Sequence, residues 1–396
     1  MKKKIAAIIA ACVAPVFVAA GCNTKTYEIF TNIPADGYKI TSRQFVLSQV
    51  IEGFSESEAA ASGAKNSDFK TAHTTFYGIM NTDAALYISA DFNEATTQKY
   101  SALCAQIADV LTDINNSLSI TVEGSSVWNF NAAEAGVEVE IDKTAYDILT
   151  LAQEVYTLTS GFYNPAVYYS VQAYGFDGNY NYPKTAAQLP DDEEISKYKT
   201  LSGGFGEIEL YESGGEYFAK KPENTVQIGG KTCSLKIDLG GIGKGFAADE
   251  VNALIEESGF NYGYFTFAQS SIAFKKYFNG AGNYTLQLKN PRNRVYTYID
   301  IPVQDVCVST SGDYEQSYTL GGVRYCHIIN PKTGKPVQTG IMSATVIGDS
   351  AAKADALSTA IMAMGKDAAI EFIKTALCDY RVIFTCDGAA KVENVA

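Results

Sequence analysis

From residue 238 to 245 the chain reads Asp238–Leu239–Gly240–Gly241–Ile242–Gly243–Lys244–Gly245, and four glycines in six positions leave few folds open to it. Without a Cβ the backbone can turn sharply and come close to a ligand or to another segment. Residues 232–237 upstream alternate like a strand, and residues 247–255 downstream carry apolar side chains at helical spacing. The glycines are therefore expected to join a strand to a helix, where free N–H groups and the helix dipole favour an anion. Lys244 adds a positive charge. The stretch lacks the Gly-Lys-Ser/Thr ending of a nucleotide-hydrolase phosphate loop and the spacing of a dinucleotide fingerprint. Two readings stay open: an anion-binding turn, or a turn that lets the helix pack tightly on the strand.

The start of the chain looks like an address. Met1–Lys2–Lys3–Lys4 is charged, residues 5–18 are apolar, and Ala19–Ala20–Gly21 places small residues before Cys22. This predicts a lipoprotein signal over residues 1–22, with Cys22 lipidated; an ordinary cleaved signal is the alternative. The apolar run is shorter than the ~20 residues of a comfortable membrane span. The expected location is the extracytoplasmic face of the cell membrane, held by the lipid on Cys22. Residues 23–72 read as a tether and N-terminal extension, and residues 73–396 as the folded domain. A net charge of −13, with no basic tract, argues against nucleic acid as a partner. Cys104, Cys233, Cys307, Cys326, Cys378 and Cys386 form no C-x-x-C pair, so they read mostly as buried thiols rather than as a zinc or redox site. With only His73 and His327 available, a metal site must be built mainly from oxygen, which points to magnesium or calcium.

The pattern along the chain predicts an α+β fold, with mostly antiparallel sheets flanked by helices. Residues 73–92 read as a strand pair. Residues 95–114 read as an amphipathic helix with Leu103, Ile107, Val110, Leu111 and Ile114 on one face. Asp142 is a candidate cap for a helix over 143–158. Residues 177–199, rich in Asn, Tyr, Pro and Asp, read as a surface excursion. Residues 264–308 are strand-rich, and helices over 352–364 and 367–376 precede a last strand, 381–385.

Three further stretches can carry chemistry. Ser309–Thr310–Ser311–Gly312–Asp313–Tyr314–Glu315 offers hydroxyls and two acids after a strand. His327–Ile328–Ile329–Asn330–Pro331 brings a histidine to a strand end before a turn. Ala354–Asp355–Ala356–Leu357–Ser358–Thr359–Ala360 puts Asp355 and Thr359 one helical turn apart, where both can reach a hard cation. If Asp355 lines an open cleft, its loss should change stability by only about 0.5 kcal/mol.

Together these stretches resemble the FAD:protein FMN transferase family (the ApbE family, formerly described as thiamine-biosynthesis lipoproteins). Residues 238–245 are similar to its D-L-G-G-I-A-K-G, residues 309–315 to S-T-S-G-D-Y-E, residues 327–331 to H-I-I-D-P and residues 354–360 to A-D-A-L-A-T-A. Thr159–Ser160–Gly161–Phe162–Tyr163–Asn164–Pro165 resembles T-G-G-A-F-D-P, and residues 78–82 resemble A-M-G-T. The resemblance runs from about His73 to the C-terminus.

It implies a T-fold-like architecture and a reaction in which FAD is split. The FMN half joins a threonine or serine of a partner protein, such as an exported or membrane redox protein, and AMP leaves. By the same resemblance, Gly241 through its carbonyl, Asp355 and Thr359 would hold Mg2+. Met80, Phe162, Tyr163, Asn164, Asp238, Lys244 and Ile329 would contact FAD. His327 and Asp355 would be catalytic, with His327 positioning or deprotonating the acceptor hydroxyl, a task suited to a near-neutral pKa. The chain departs from the family at Asn330 and Asn164, which stand for aspartates, at Asn81 for a glycine, and at residues 268–271 for a Gly-Gly pair. Hydrolysis of FAD to FMN and AMP, or FAD binding without chemistry, are the alternative activities.

Overall fold

Nine strands form one sheet in the computed structural model. In chain order they are β1 (Tyr27–Thr31), β2 (Phe69–Ile79), β3 (Thr82–Asp91), β4 (Gly263–Phe267), β5 (Ser271–Phe274), β6 (Val306–Gly312), β7 (Ile341–Gly348), β8 (Arg381–Asp387) and β9 (Lys391–Asn394). Across the sheet the order is β9-β1-β8-β7-β6-β5-β4-β3-β2. Each neighbouring pair is antiparallel except β1 with β9. The structure describes residues 27–34, 36–37, 39–40, 69–178, 181–268, 270–277, 282–387 and 391–394. The leader with Cys22 lies outside them.

Successive strand residues point to opposite faces. Leu86, Ile88, Phe265, Phe267 and Cys307 face helices. Tyr87, Tyr264, Val308, Ile347 and Ile383 face the hairpin Tyr284–Asn290 with Asn293–Val303, which packs Leu286, Leu288, Ile299 and Ile301 against them. Both faces are covered, so β7 is buried along nearly its whole length and reads as an apolar run instead of an alternation.

The helices are α1 (Glu94–Leu118), α2 (Lys143–Leu158), α3 (Asp192–Gly203), α4 (Gly243–Glu257), α5 (Ala351–Met364) and α6 (Lys366–Ala376), with shorter ones between. On α1 the expected stripe is the buried one, with Val110 only half-buried at its margin. Asp142 caps α2 by accepting the Ala145 N–H at 2.8 Å, which satisfies one of the donors a helix start leaves open. α5 is buried on nearly all sides, as its small and apolar sequence allows.

α4 and α5 meet more closely than side chains permit. A Cβ on Gly245 would lie 2.2 Å from the Ala351 carbonyl oxygen. From α4, Asp249 accepts the N–H groups of Ala351 (2.7 Å) and Ala352 (3.0 Å) and the Ser350 hydroxyl (2.7 Å). From α5, Asp355 accepts the Gly245 N–H at 3.2 Å. Each helix start is thus capped by a carboxylate of the other, where the dipoles favour negative charge. The tight packing sought between helix and strand is found between two helices.

Three expectations change. The segment 23–72 is not only a tether: β1 pairs with β8 inside the main sheet, and Phe30 is buried, stacked on Phe384 at 4.8 Å. The strand β2 also begins at Phe69, ahead of residue 73. The excursion 177–199 contains the start of α3, where Asp191 and Glu194 form a capping box. Of the six thiols, all free, Cys307, Cys326 and Cys386 are buried, Cys104 and Cys233 half-buried, and Cys378 exposed.

Candidate active site

The approach to the glycines is held by polar contacts from distant segments. Asn131 grips Ile237 from both sides, accepting its N–H at 2.8 Å and donating to its carbonyl at 2.8 Å. The Asp238 N–H donates to the Pro165 carbonyl at 2.9 Å, which ties the residues 162–165 to the glycine stretch. The Asp238 carboxylate accepts the Gly240 N–H at 2.8 Å. Burial pushes its pKa up, opposed by that N–H and by Lys244. Lys244 donates to the Gly240 carbonyl at 3.2 Å.

Gly243, Lys244 and Gly245 already belong to the first turn of α4. None of the four glycines has positive φ, so close approach, and not a left-handed turn, is what they supply. A Cβ on Gly241 would stand 3.6 Å from the Tyr163 ring and 3.7 Å from the Thr359 hydroxyl; one on Gly243 would stand 3.9 Å from the Met80 sulfur. Met80 and Asn81 both have positive φ, at the tip between β2 and β3.

Asp355 sits at the centre. Besides Gly245 it accepts the Ser309 hydroxyl at 2.9 Å, and it is 5% exposed. Thr359, one turn on, donates to the Asp355 carbonyl at 3.1 Å and lies 3.2 Å from the Ser311 hydroxyl. The expectation that Asp355 lines an open cleft is therefore corrected: it is a buried acceptor, and its removal strands the Gly245 N–H and leaves the Ser309 hydroxyl with Ser271 alone, 3.1 Å away. Ser309 and Ser311 were not assigned roles from sequence. Their spacing of two on one strand already places both on the face that meets α5. Asp313, from the same stretch, turns away into a bidentate pair with Arg292 at 2.5 and 2.7 Å.

Tyr163 reaches this centre through Gly241, and His327 lies near the Lys244 charge. Tyr163 is buried against Gly241, and its hydroxyl has no partner among the described residues. Lys332 lies 5.4 Å over the Phe162 ring and donates to the Ser160 carbonyl at 2.6 Å. The Nδ1 of His327 is buried without a partner among the described residues. Burial and the nearby charge of Lys244 push the ring's pKa down to about 4, partly offset by a hydrogen bond with the Glu315 backbone. The near-neutral value expected for this ring is thus corrected: the imidazole is neutral throughout the physiological range.

Two of the expected contacts are turned inward. The Ile329 side chain is buried with Tyr174 and Phe176. Asn164 spends its amide on the Ser202 carbonyl (2.9 Å) and its oxygen on the Ala166 N–H (2.8 Å).

The low pKa of His327 has a measurable consequence. The folded value lies below the ordinary 6.5, so between pH 6.5 and about 4 the unfolded chain takes up a proton that the folded one refuses. The ring's contribution to stability is present above pH 6.5 and is lost as the pH falls through that window. Urea midpoints measured from pH 7 to 4 should fall less steeply for His327→Asn than for the wild type. Parallel curves would contradict the assignment.

The family model for the ApbE family matches residues 80–384. The chain belongs to the ApbE family. The FAD:protein FMN transferase of Escherichia coli K12 is 28% identical over 261 residues, 65% of this chain and 69% of that protein. The Klebsiella pneumoniae protein of the same name is 27% identical over 280 residues, 70% and 75% of the two chains. The crystal structure of the ApbE protein from Thermotoga maritima superposes with a TM-score of 0.67 at 27% identity, covering 81% of this chain and 96% of that one. The flavin transferase ApbE from Vibrio cholerae shares the fold, with a TM-score of 0.64 at 23% identity, over 80% and 97% of the chains. The α+β fold expected for an ApbE chain is the one observed.

The departures from the ApbE motifs have structural reasons here. Asn330 donates its amide to the Ala363 carbonyl at 2.8 Å, as Asn164 does to Ser202. An ionised aspartate has no proton to give at either place. Asn81 has φ of 58°, a conformation that asparagine tolerates better than most residues.

Proposed function

We propose that this ApbE-family chain transfers FMN from FAD to a threonine or serine hydroxyl of a partner protein, releasing AMP, with Mg2+ as its metal. The observation that carries this reading is the convergence of α5 on the start of α4, where Thr359 lies beside Gly241 and Asp355 holds the Gly245 N–H. One buried carboxylate, one hydroxyl and one peptide carbonyl make an all-oxygen set. Such a set fits magnesium, which keeps waters and takes phosphate oxygens as its remaining ligands. Bound there, the ion would neutralise charge on the diphosphate as phosphorus is attacked.

The chain's own groups divide the remaining work. Lys244 and the first turn of α4 would attract the diphosphate once a cation offsets Asp238 and Asp355. Met80, Tyr163 and Asp238 border the glycine stretch and, with Phe162, would orient FAD; Ile329 and Asn164, with their side chains turned inward, would support them from behind. The acceptor oxygen bonds to the phosphorus of the FMN half, the P–O bond to AMP breaks, and AMP leaves with the bridging oxygen. The proton of the hydroxyl passes to Nδ1 of His327, whose lone pair is open because the ring is neutral and the atom has no other partner. The partner is an exported or membrane redox protein, met at the extracytoplasmic face by an enzyme anchored through Cys22.

The test is AMP release in the presence of an acceptor domain. AMP and flavin-labelled acceptor should appear together in magnesium, stop with EDTA, and return with magnesium but not with zinc. Free FMN in place of labelled acceptor would favour hydrolysis, and FAD bound but uncut would favour a carrier.

A further inference from the structure

Tyr163 is 2% exposed, and its hydroxyl has no hydrogen-bond partner among the described residues. A buried hydroxyl left unpaired is destabilising, so its presence calls for a physical reason. Its ring lies against Gly241. Burial first, and then the charges of Asp355 and Asp238, hold the hydroxyl's pKa well above the ordinary value. The matching motif T-G-G-A-F-D-P has phenylalanine at this place, so the oxygen atom is what this chain adds to the site.

We propose that the Tyr163 hydroxyl donates a hydrogen bond to a phosphate oxygen of the dinucleotide, making Tyr163 a positioning residue for the cation-bound diphosphate. The proposal rests on the FAD and magnesium reading above. The hydroxyl is a donor without an acceptor among the described residues, beside a peptide that approaches Thr359 and near the charges of two carboxylates. An anionic oxygen is repelled from such a place unless a cation enters with it. The contact therefore forms with FAD and magnesium together, and not with FAD alone. A phenylalanine would fill the same ring volume and supply no donor.

Titration calorimetry on the mature chain, from Cys22 onward, tests this with Tyr163→Phe. In magnesium the variant should bind FAD about tenfold more weakly, equivalent to about 1.4 kcal/mol. In EDTA the two proteins should bind FAD equally. Without ligand the variant should melt no lower than the wild type, because it loses an unpaired group and keeps its ring. Equal FAD affinity in magnesium overturns the proposal, the result expected if a trapped water were the hydroxyl's only partner. An equal loss with and without magnesium overturns it too, by marking altered packing. If the wild type itself binds no FAD in magnesium, the functional reading fails first, an outcome separable from the others.

Discussion

Asp355→Ala should stop FMN transfer and lower stability together. Losing the one carboxylate of the proposed metal centre should cost more than the 10–100-fold typical of outer-shell partners, so a fall beyond about a hundredfold is expected. The stability effect follows from the hydrogen bonds. Without Asp355 the Gly245 N–H loses its acceptor inside the protein and the Ser309 hydroxyl keeps only Ser271 at 3.1 Å, at about 1–3 kcal/mol for a buried donor left unpaired. That exceeds the change of about 0.5 kcal/mol usual for a surface substitution. Asp355→Asn keeps one acceptor oxygen, so it should recover part of the stability and none of the transfer. Urea titration and transfer assays on both variants separate the two roles. A wild-type rate for Asp355→Ala in magnesium would contradict the site.

Gly245→Ala should be severe for a different reason. Alanine is favoured over glycine in a helix by about 1 kcal/mol, so the change looks benign in isolation. Here its Cβ would meet the Ala351 carbonyl oxygen at 2.2 Å and the Cα of Ala352 at 2.7 Å, both backbone atoms. Ala351 cannot easily retreat, because Asp249 holds its N–H and that of Ala352. Parting the helices would stretch the 3.2 Å bond from Gly245 to Asp355 beyond use. Overpacking of this kind costs roughly 1–3 kcal/mol, occasionally more, which outweighs the helix gain. The variant should lose net stability and bind FAD poorly in magnesium, measured by urea midpoint and calorimetry. A midpoint at or above the wild type's would refute the reciprocal capping of the two helices.

Much of this site could be read from residue order alone, because its chemistry is local. Asp355 and Thr359 share a helix face by spacing, and the glycine stretch announces close approach wherever it lies. What it approaches is not local information. Gly245 packs on a helix start more than a hundred residues away, and nothing in residues 238–245 names Ala351. The state of His327 was likewise hidden, since its pKa is set by burial and by Lys244, both tertiary facts. Phe30 went unread as core because its short apolar run is set in a polar stretch far in sequence from its partners, and only the pairing of β1 with β8 and the stacking of Phe30 on Phe384 bring it into the sheet. Residue order alone gave no reason for asparagine where the family has aspartate at 164 and 330. The carbonyls of Ser202 and Ala363 show that each position needs a donor.

Whether FMN leaves FAD for a hydroxyl on another protein can be read from the intact mass of an exported acceptor domain incubated with the enzyme, FAD and magnesium. The acceptor should gain one phosphoester-linked FMN, a gain absent in EDTA and absent when the acceptor threonine or serine is replaced by alanine. An acceptor of unchanged mass in magnesium, with FAD intact or cut to free FMN, would rule out the transfer.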